Sequence, residues 1–211
     1  MRRGRVLNLS GCKKITDFLK INNTLIVLTA FFILGFSIGI FTLGKSEFLD
    51  SFNLNRVVNF VGERTNTPFL KIVFDSFLNA LLFMLLIFIS GTSIIGAIIT
   101  PSIICVKGYL YGSFTAQLYS EYSLKGIAFH SIIIIPSAIF LILALILACR
   151  EAIKFSFVLG KLTFPTTMPI NLSFDFKNYC VRNLLLSILV LFSALIDAMI
   201  SCNLLSKFNL F

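Results

Sequence analysis

Long apolar runs constrain the fold of this chain more than any other feature of its sequence. Four of them are long enough to cross a bilayer, and a fifth is interrupted by glycine, proline and lysine. The runs cover residues 24–44, 77–99, 102–120, 126–149 and 183–205. An α-helix rises about 1.5 Å per residue, so about 20 residues cross the roughly 30 Å hydrocarbon core of a membrane. The sequence therefore predicts an all-α polytopic transmembrane helical bundle of about five spans.

The composition agrees with a membrane protein. Hydrophobic residues make up 57% of the chain and charged residues 13%, and a soluble domain cannot hide that much apolar surface because much of its outside must be polar. The net charge is +9, and most of the Lys and Arg residues lie between the apolar runs. A nucleic-acid-binding domain instead carries its Lys and Arg on a folded soluble face. We therefore expect membrane lipids as the surroundings and no nucleic-acid partner.

The distribution of Lys and Arg predicts the orientation. Residues 1–23 carry six and residues 150–182 carry five. With five spans both segments lie on one side, which the positive-inside rule makes cytoplasmic. The loop 45–76 and the tail 206–211 are then external. The predicted location is the cell membrane, multi-pass, with a cytoplasmic N-terminus. A re-entrant 102–120 segment, giving four crossings, is the alternative.

The segments between the predicted spans are short. Residues 45–76 mix polar residues with spaced Phe, Leu and Val, which is typical either of an amphipathic interfacial segment or of a docking surface for an external partner. Residues 161–179 contain two prolines and predict a structured cytoplasmic linker. An ATPase, kinase or wall-degrading domain needs roughly 100 residues, so no such domain is expected within these segments.

The most apolar region of the chain contains glycines, which are poor helix formers. Their presence predicts close packing between helices. In lipid, helices associate through close backbone approach, which small residues permit. Pro101 is predicted to mark a tight inner turn between the second and third spans. The alternative is a pair of broken helices lining a substrate site, as transporters use. The glycines predicted to pack helices are Gly35, Gly39, Gly91, Gly96, Gly108 and Gly112.

Three ionisable residues lie inside the predicted spans: Lys107, His130 and Asp197. Such residues are candidates for function because a charge in the membrane is costly. The span boundaries place Lys107 roughly 8 Å from the inner end of its span, within reach of the inner headgroups. His130 and Asp197 lie at similar depths in the outer half. We therefore hypothesise that His130 and Asp197 interact and hold the last two spans together.

No catalytic, metal-binding or cofactor-binding residues are predicted. Five cysteines show no metal-ligand spacing, and one histidine without an HExxH motif excludes a metalloprotease of that type. The sequence GFSIG at 35–39 matches G-x-S-x-G around Ser37, but that motif requires a strand–turn–helix elbow. Here it lies in a predicted helix. A Gly/Ser packing face is the simpler interpretation, and an intramembrane Ser37–His130 hydrolase is the alternative.

The order of features between residues 77 and 158 resembles the stage II sporulation protein M family, the membrane components of the engulfment machinery in endospore-forming bacteria. The shared features are a glycine-containing second span, a Lys-Gly pair followed by a second glycine, and a proline-interrupted fourth span (Lys107, Gly108, Gly112 and Pro136). Outside this region the resemblance is one of layout.

The resemblance implies a non-enzymatic scaffold. Such proteins are thought to anchor and localise the peptidoglycan-degrading stage II sporulation proteins D and P at the sporulation septum and engulfing membrane. A homo-oligomer is also compatible with the glycine faces. The competing function is a small transporter or export-complex subunit, which should contain a polar cavity at mid-membrane. From the sequence, Asp197, Ser93 and Gln117 are the candidates for lining it.

Overall fold

The computed structural model describes residues 23–42, 67–163 and 172–204. The basic N-terminal segment, most of the 45–76 loop, the prolines of the 161–179 segment and the C-terminal tail lie outside the described residues. Within the described ranges the chain forms helices without strands. The helices are α1 Asn23–Thr42, α2 Phe69–Gly91, α3 Gly96–Phe129, a π-helix His130–Ile134, α4 Ile135–Thr163 and α5 Leu172–Leu204.

In the described part of the chain five segments are long and apolar enough to cross a membrane, so the prediction of an all-α polytopic bundle is confirmed. They are Asn23–Thr42, Phe69–Gly91, Gly96–Ser120, Tyr122–Leu162 and Leu172–Asn203. The third segment is thus long enough to span. The label α3 covers two limbs, because Ser123 has non-helical angles (φ 46°, ψ −124°) and lies between the predicted spans 102–120 and 126–149.

The helices run up and down through the bundle. The α2–α3 turn at residues 92–95 lies at one end, which we call the hairpin side, and residue 67 lies towards the other, the open side. The largest cluster of buried apolar side chains, including Leu28, Ile87, Ile104 and Leu145, lies between the helices. Polar side chains line the part of the interior nearer the open side.

Helices α1 and α3 are parallel and touch through their backbones. A methyl group built on Gly35 would overlap the carbonyl oxygen of Cys105, and one on Gly112 would overlap that of Phe36. Equivalent overlaps arise between Gly39 and the α3 backbone and between Gly108 and the α1 backbone. Both helices contribute a pair of glycines four residues apart, so neither tolerates a side chain in this contact.

This contact predicts opposite effects for two identical substitutions. Gly112→Ala should lower the free energy of unfolding by about 1–3 kcal/mol, roughly 3–10 °C in Tm, because the Phe36 backbone cannot move away cheaply. Gly160→Ala is the matched control, since nothing lies within 4 Å of a methyl group built there. Alanine is the better helix former, so the control should not destabilise. Thermal unfolding in detergent measures both, and equal shifts would contradict the contact.

The turn on the hairpin side lies at residues 92–95, so the expectation that Pro101 marks it is wrong. Pro101 instead lies inside α3, where a membrane helix tolerates proline because surrounding groups satisfy the freed carbonyl. Gly91 ends α2 and Gly96 begins α3. A side chain on Gly96 would overlap the carbonyl of Ser90, and one on Gly91 would meet Ala152 and the Tyr179 hydroxyl.

Ser156 of α4 holds this turn. Its hydroxyl donates to the carbonyl oxygens of Ser93 at 2.8 Å and Ile94 at 3.0 Å. It also accepts a hydrogen bond from the backbone N–H of Ala97 at 3.0 Å. One side chain thus supplies a partner for the Ala97 amide, which has none within α3, and bonds to two carbonyls of the turn. Of these, the Ser93 carbonyl also accepts from the Gly96 amide at 3.0 Å.

Ser156→Ala should leave the Ala97 amide without its partner, remove one hydrogen-bond donor from the carbonyls of the turn, and cost about 1–3 kcal/mol of stability. The Ala97 amide should also exchange hydrogen faster. Ser187→Ala is the control, because the Ser187 hydroxyl donates to Leu184 within its own helix and is exposed. Hydrogen exchange followed by mass spectrometry checks the Ala97 amide. Unchanged exchange at residues 92–97 would show that Ser156 does not hold the turn.

Helices α4 and α5 extend well beyond the hydrocarbon core. The candidate span Tyr122–Leu162 has 41 residues, about 60 Å at 1.5 Å per residue, which is twice the core thickness. Most of the 150–182 segment is therefore helix rather than loop. On the hairpin side Glu151 of α4 forms ion pairs with Lys154 at 2.7 Å and with Arg182 of α5.

An aromatic stack joins three helices at the same level. The Tyr179 ring of α5 lies parallel to Phe88 of α2 and to Phe155 of α4, with centroid distances of 5.0 and 4.8 Å. The Tyr179 hydroxyl donates to the Phe88 carbonyl at 3.0 Å. We call the Ser156 bonds, the Tyr179 stack and the Glu151 ion pairs together the hairpin-side frame. It fixes α2, α4 and α5 against one another.

Candidate functional site

A polar cavity lies between α2, α3, α4 and α5. Its volume is about 600 Å³, within the range of about 300–1,000 Å³ typical of small-molecule sites. It begins at Thr67 and Lys71 near the start of α2 and reaches Lys107 in α3. The polar side chains that line it are Thr67, Lys71, Asp75, Ser76, Asn79, Lys107, Tyr111, Ser137, Ser193 and Asp197. Polar groups inside a membrane bundle are costly, so their concentration here marks the cavity as the candidate site.

Lys107 lies deeper than its predicted position. It follows Gly96, the first residue of α3, by eleven residues, which is about 16 Å along the helix rather than 8 Å. The difference arises because the turn lies at 92–95 and not at Pro101. Lys107 is 8% exposed and lines the cavity, and it lies near the middle of the candidate span Gly96–Ser120 and not close to its end.

Among the described residues, the charge of Lys107 has one weak interaction, a cation–π contact with an aromatic ring. Its Nζ lies 4.0 Å from the centre of the Phe83 ring, and no described side chain forms a hydrogen bond or ion pair with it. A lysine at the centre of a membrane helix costs about 2.5–3.5 kcal/mol on insertion scales. A cation–π contact returns about 0.5–2 kcal/mol. The ring alone therefore does not offset the burial of this charge.

Lys107→Met should consequently stabilise the protein by about 1–2 kcal/mol when lipids and small solutes have been washed away, since the charge is removed and the length of the side chain is kept. Lys71→Met is the control, because Lys71 lines the same cavity but is exposed, and its replacement should change stability by less than about 0.5 kcal/mol. Thermal unfolding in detergent measures both. A loss of stability in Lys107→Met would mean that the folded protein depends on this charge.

Asp197 contacts α2 and not His130. The Ser76 hydroxyl donates to Asp197 Oδ2 at 2.6 Å, joining α5 to α2 at the cavity wall. The two ring nitrogens of His130 instead bond to Thr115 (Nε2, 3.2 Å) and Tyr119 (Nδ1, 3.0 Å) of α3. The hypothesis of an Asp197–His130 pair is therefore wrong. The two residues share a depth, but depth does not specify which way each helix faces.

Ser37 and His130 both lie in the described residues, and no hydrogen bond joins them. Ser37 lies within α1, not on an elbow, and both nitrogens of His130 are engaged by α3. The structure does not bring Ser37 and His130 together as a nucleophile and its base. Among residues 23–42, 67–163 and 172–204 there is also no cluster of three or more His, Cys, Asp or Glu that could hold a metal ion.

The six glycines lie at three close contacts. Gly35 and Gly39 of α1 face Gly108 and Gly112 of α3, whereas Gly91 packs against α4 and α5. Gly96 lies against the end of α2 within the hairpin turn.

Comparison with models of protein families shows to which family the chain belongs. The model described as "Stage II sporulation protein M" matches residues 28–202, which is most of the sequence. The chain belongs to the stage II sporulation protein M family. Comparisons with curated proteins and with solved structures found no match. The family is sporulation-related, consists of membrane proteins and is not a known enzyme family.

The sequence offered three candidates for lining a cavity, and one of them lines the cavity of this family member. Asp197 lines it, whereas Ser93 lies in the hairpin turn and Gln117 is buried elsewhere in α3. Helix α2, which begins at Phe69 inside the predicted external loop, contributes more of the missed polar lining than any other helix, namely Lys71, Asp75, Ser76 and Asn79. The missed signal is the four-residue spacing of polar residues at Thr67, Lys71, Asp75 and Asn79, which places them on one face of a helix.

Proposed function

We propose that this member of the stage II sporulation protein M family is a non-enzymatic scaffold. It anchors and localises peptidoglycan-degrading partners, the stage II sporulation proteins D and P, in the engulfing membrane. Partner spans dock against its helices, and the external segment 45–76 faces the wall. The family match supports the sporulation context, and the partners follow from what the resemblance implies.

The observation that carries the proposal is the hairpin-side frame. The Ser156 bonds, the Tyr179 stack and the Glu151 ion pairs tie α2, α4 and α5 together. The groups involved are hydroxyls bonded to backbone, stacked rings and paired charges, none of them arranged as a nucleophile with its base. A fixed frame of this kind suits a protein that holds others in place.

The charges on the hairpin side support a cytoplasmic N-terminus. The described Lys and Arg residues on that side are Arg150, Lys154, Lys161, Lys177 and Arg182, whereas Lys71 and Lys125 lie on the open side. An excess of Lys and Arg is typical of cytoplasmic segments. The cavity then opens towards the outside of the cell.

The scaffold function can be tested by crosslinking in sporulating cells. Tagged wild-type protein should recover the stage II sporulation proteins D and P after crosslinking and purification. Gly112→Ala should reduce that recovery at equal membrane abundance, because it loosens α1 from α3, and Gly160→Ala should not. Recovery of a transport ATPase without either wall protein, or turnover by the pure protein in vesicles, would contradict the proposal.

Transport is the second candidate because a specific observation favours it. The cavity carries charged and polar groups to about the middle of the bundle, where transporters bind their substrates. In the described residues the hairpin-side frame closes the opposite end. Flux of solute by the pure protein reconstituted in vesicles would favour transport over the scaffold.

A further inference from the structure

The cavity also carries an inference that goes beyond the scaffold function. We propose that it binds a small zwitterion, with the anionic group of the ligand held by Lys107 Nζ and its ammonium group near the acidic side chains of the walls. An amino acid or short peptide from the aqueous phase has this chemistry. So does the headgroup of phosphatidylethanolamine.

The anionic group of the ligand is inferred from the buried ammonium group of Lys107. This side chain is 8% exposed, its charge lies at the deep end of the cavity, and its one described counterpart is the Phe83 ring. Buried charges in proteins are normally paired. Among the described residues no acceptor bonds to this ammonium group, so an anion entering the cavity would meet a lysine with three hydrogen-bond donors.

The ammonium group of the ligand is inferred from the two aspartates that line the cavity. Asp75 and Asp197 line the same cavity, and two carboxylates disfavour a ligand with several negative charges. A ligand with one anionic group and one cationic group meets both signs. Asp75 is exposed and lines the cavity, so its carboxylate is accessible to an ammonium group. Asp197 accepts a hydrogen bond from the Ser76 hydroxyl, which holds a second negative charge in the same cavity.

The remaining lining suits a polar molecule of modest size. Asn79 and Lys71 are exposed at the wall and rim and add hydrogen-bond donors. Three further lining residues have short apolar side chains: Ala80, Ala138 and Ala194. The wall formed by Ile134 and Ser137 adjoins the π-helix His130–Ile134, and π-helical turns frequently occur at functional sites.

The test uses the full-length chain, purified in an uncharged detergent with its lipids washed away, because the phosphatidylcholine headgroup is itself a zwitterion. The probes are the free amino acids and the dipeptide Ala-Ala, each at millimolar concentration, with thermal stabilisation as the readout. At least one zwitterion should raise Tm of the wild type. The same compound with its amine acetylated and its carboxylate amidated should not, because both charges are then absent.

Variants assign the effect to the cavity. Lys107→Met should weaken the apparent affinity about tenfold or more, as expected when one partner of a buried charge pair is removed. Lys107→Arg keeps the charge and should retain part of the binding. Asp75→Asn should weaken a zwitterion more than it weakens acetate, which has no ammonium group. Since Lys107→Met is expected to be the more stable protein without ligand, lost binding cannot be attributed to misfolding.

A second arm separates the two sources of ligand. Detergent micelles with added phosphatidylethanolamine are compared with micelles of the uncharged detergent alone, without soluble zwitterion. Stabilisation by phosphatidylethanolamine that Lys107→Met abolishes supports the proposal with a lipid headgroup as the ligand. The proposal is overturned if neither source stabilises the wild type, or if Lys107→Met responds equally. Either result is independent of whether the stage II sporulation proteins D and P are recovered in cells.

Discussion

The hairpin turn at residues 92–95 sets the depth of the groups that follow it in α3. Gly96 lies directly against the Ser90 carbonyl, so α3 begins as soon as α2 has ended. From that point each residue advances about 1.5 Å into the membrane, which brings Lys107 near the middle. Ser156 satisfies the backbone groups of the turn, and the depth of Lys107 therefore depends on a hydrogen bond from a different helix.

The bundle divides into two parts with different physical tasks. On the hairpin side, stacked rings, ion pairs and backbone-satisfying hydroxyls fix the helices. Towards the open side the same helices separate around polar side chains that the membrane interior disfavours. A protein keeps such costly groups where selection for function outweighs their effect on stability. The frame supplies the stability that the cavity reduces.

Much of the architecture could be predicted from the sequence because lipid leaves few options. A chain in a bilayer must satisfy its backbone internally, so long apolar runs become helices, and the glycines at 35, 39, 108 and 112 lie where two helix backbones meet. The boundaries were less predictable. Hydropathy does not register that α2 begins at Phe69 or that α4 continues to Thr163, because helix continues through segments that leave the hydrocarbon.

The site was harder to predict because it depends on direction and not on depth alone. His130 and Asp197 occur at similar depths, yet His130 faces Thr115 and Asp197 faces Ser76. The rotation of each helix follows from packing across the whole bundle, including contacts such as Tyr179 with Phe155. A polar residue in a span can be recognised from the sequence, but its partner depends on these distant contacts.

Helix α3 connects the two functions considered for this protein. Lys107 points into the cavity, and its neighbour Gly108 meets the backbone of α1. Any molecule that orders the cavity therefore acts on the same turn of helix that positions α1. A ligand shifts a conformational equilibrium only by its differential affinity for the states involved, and here a small displacement of α3 would change both the Lys107 contact and the α1 contact. On the two proposals made above, ligand binding and the docking of partner spans would be coupled through one helical turn, with no need for a longer path through the bundle.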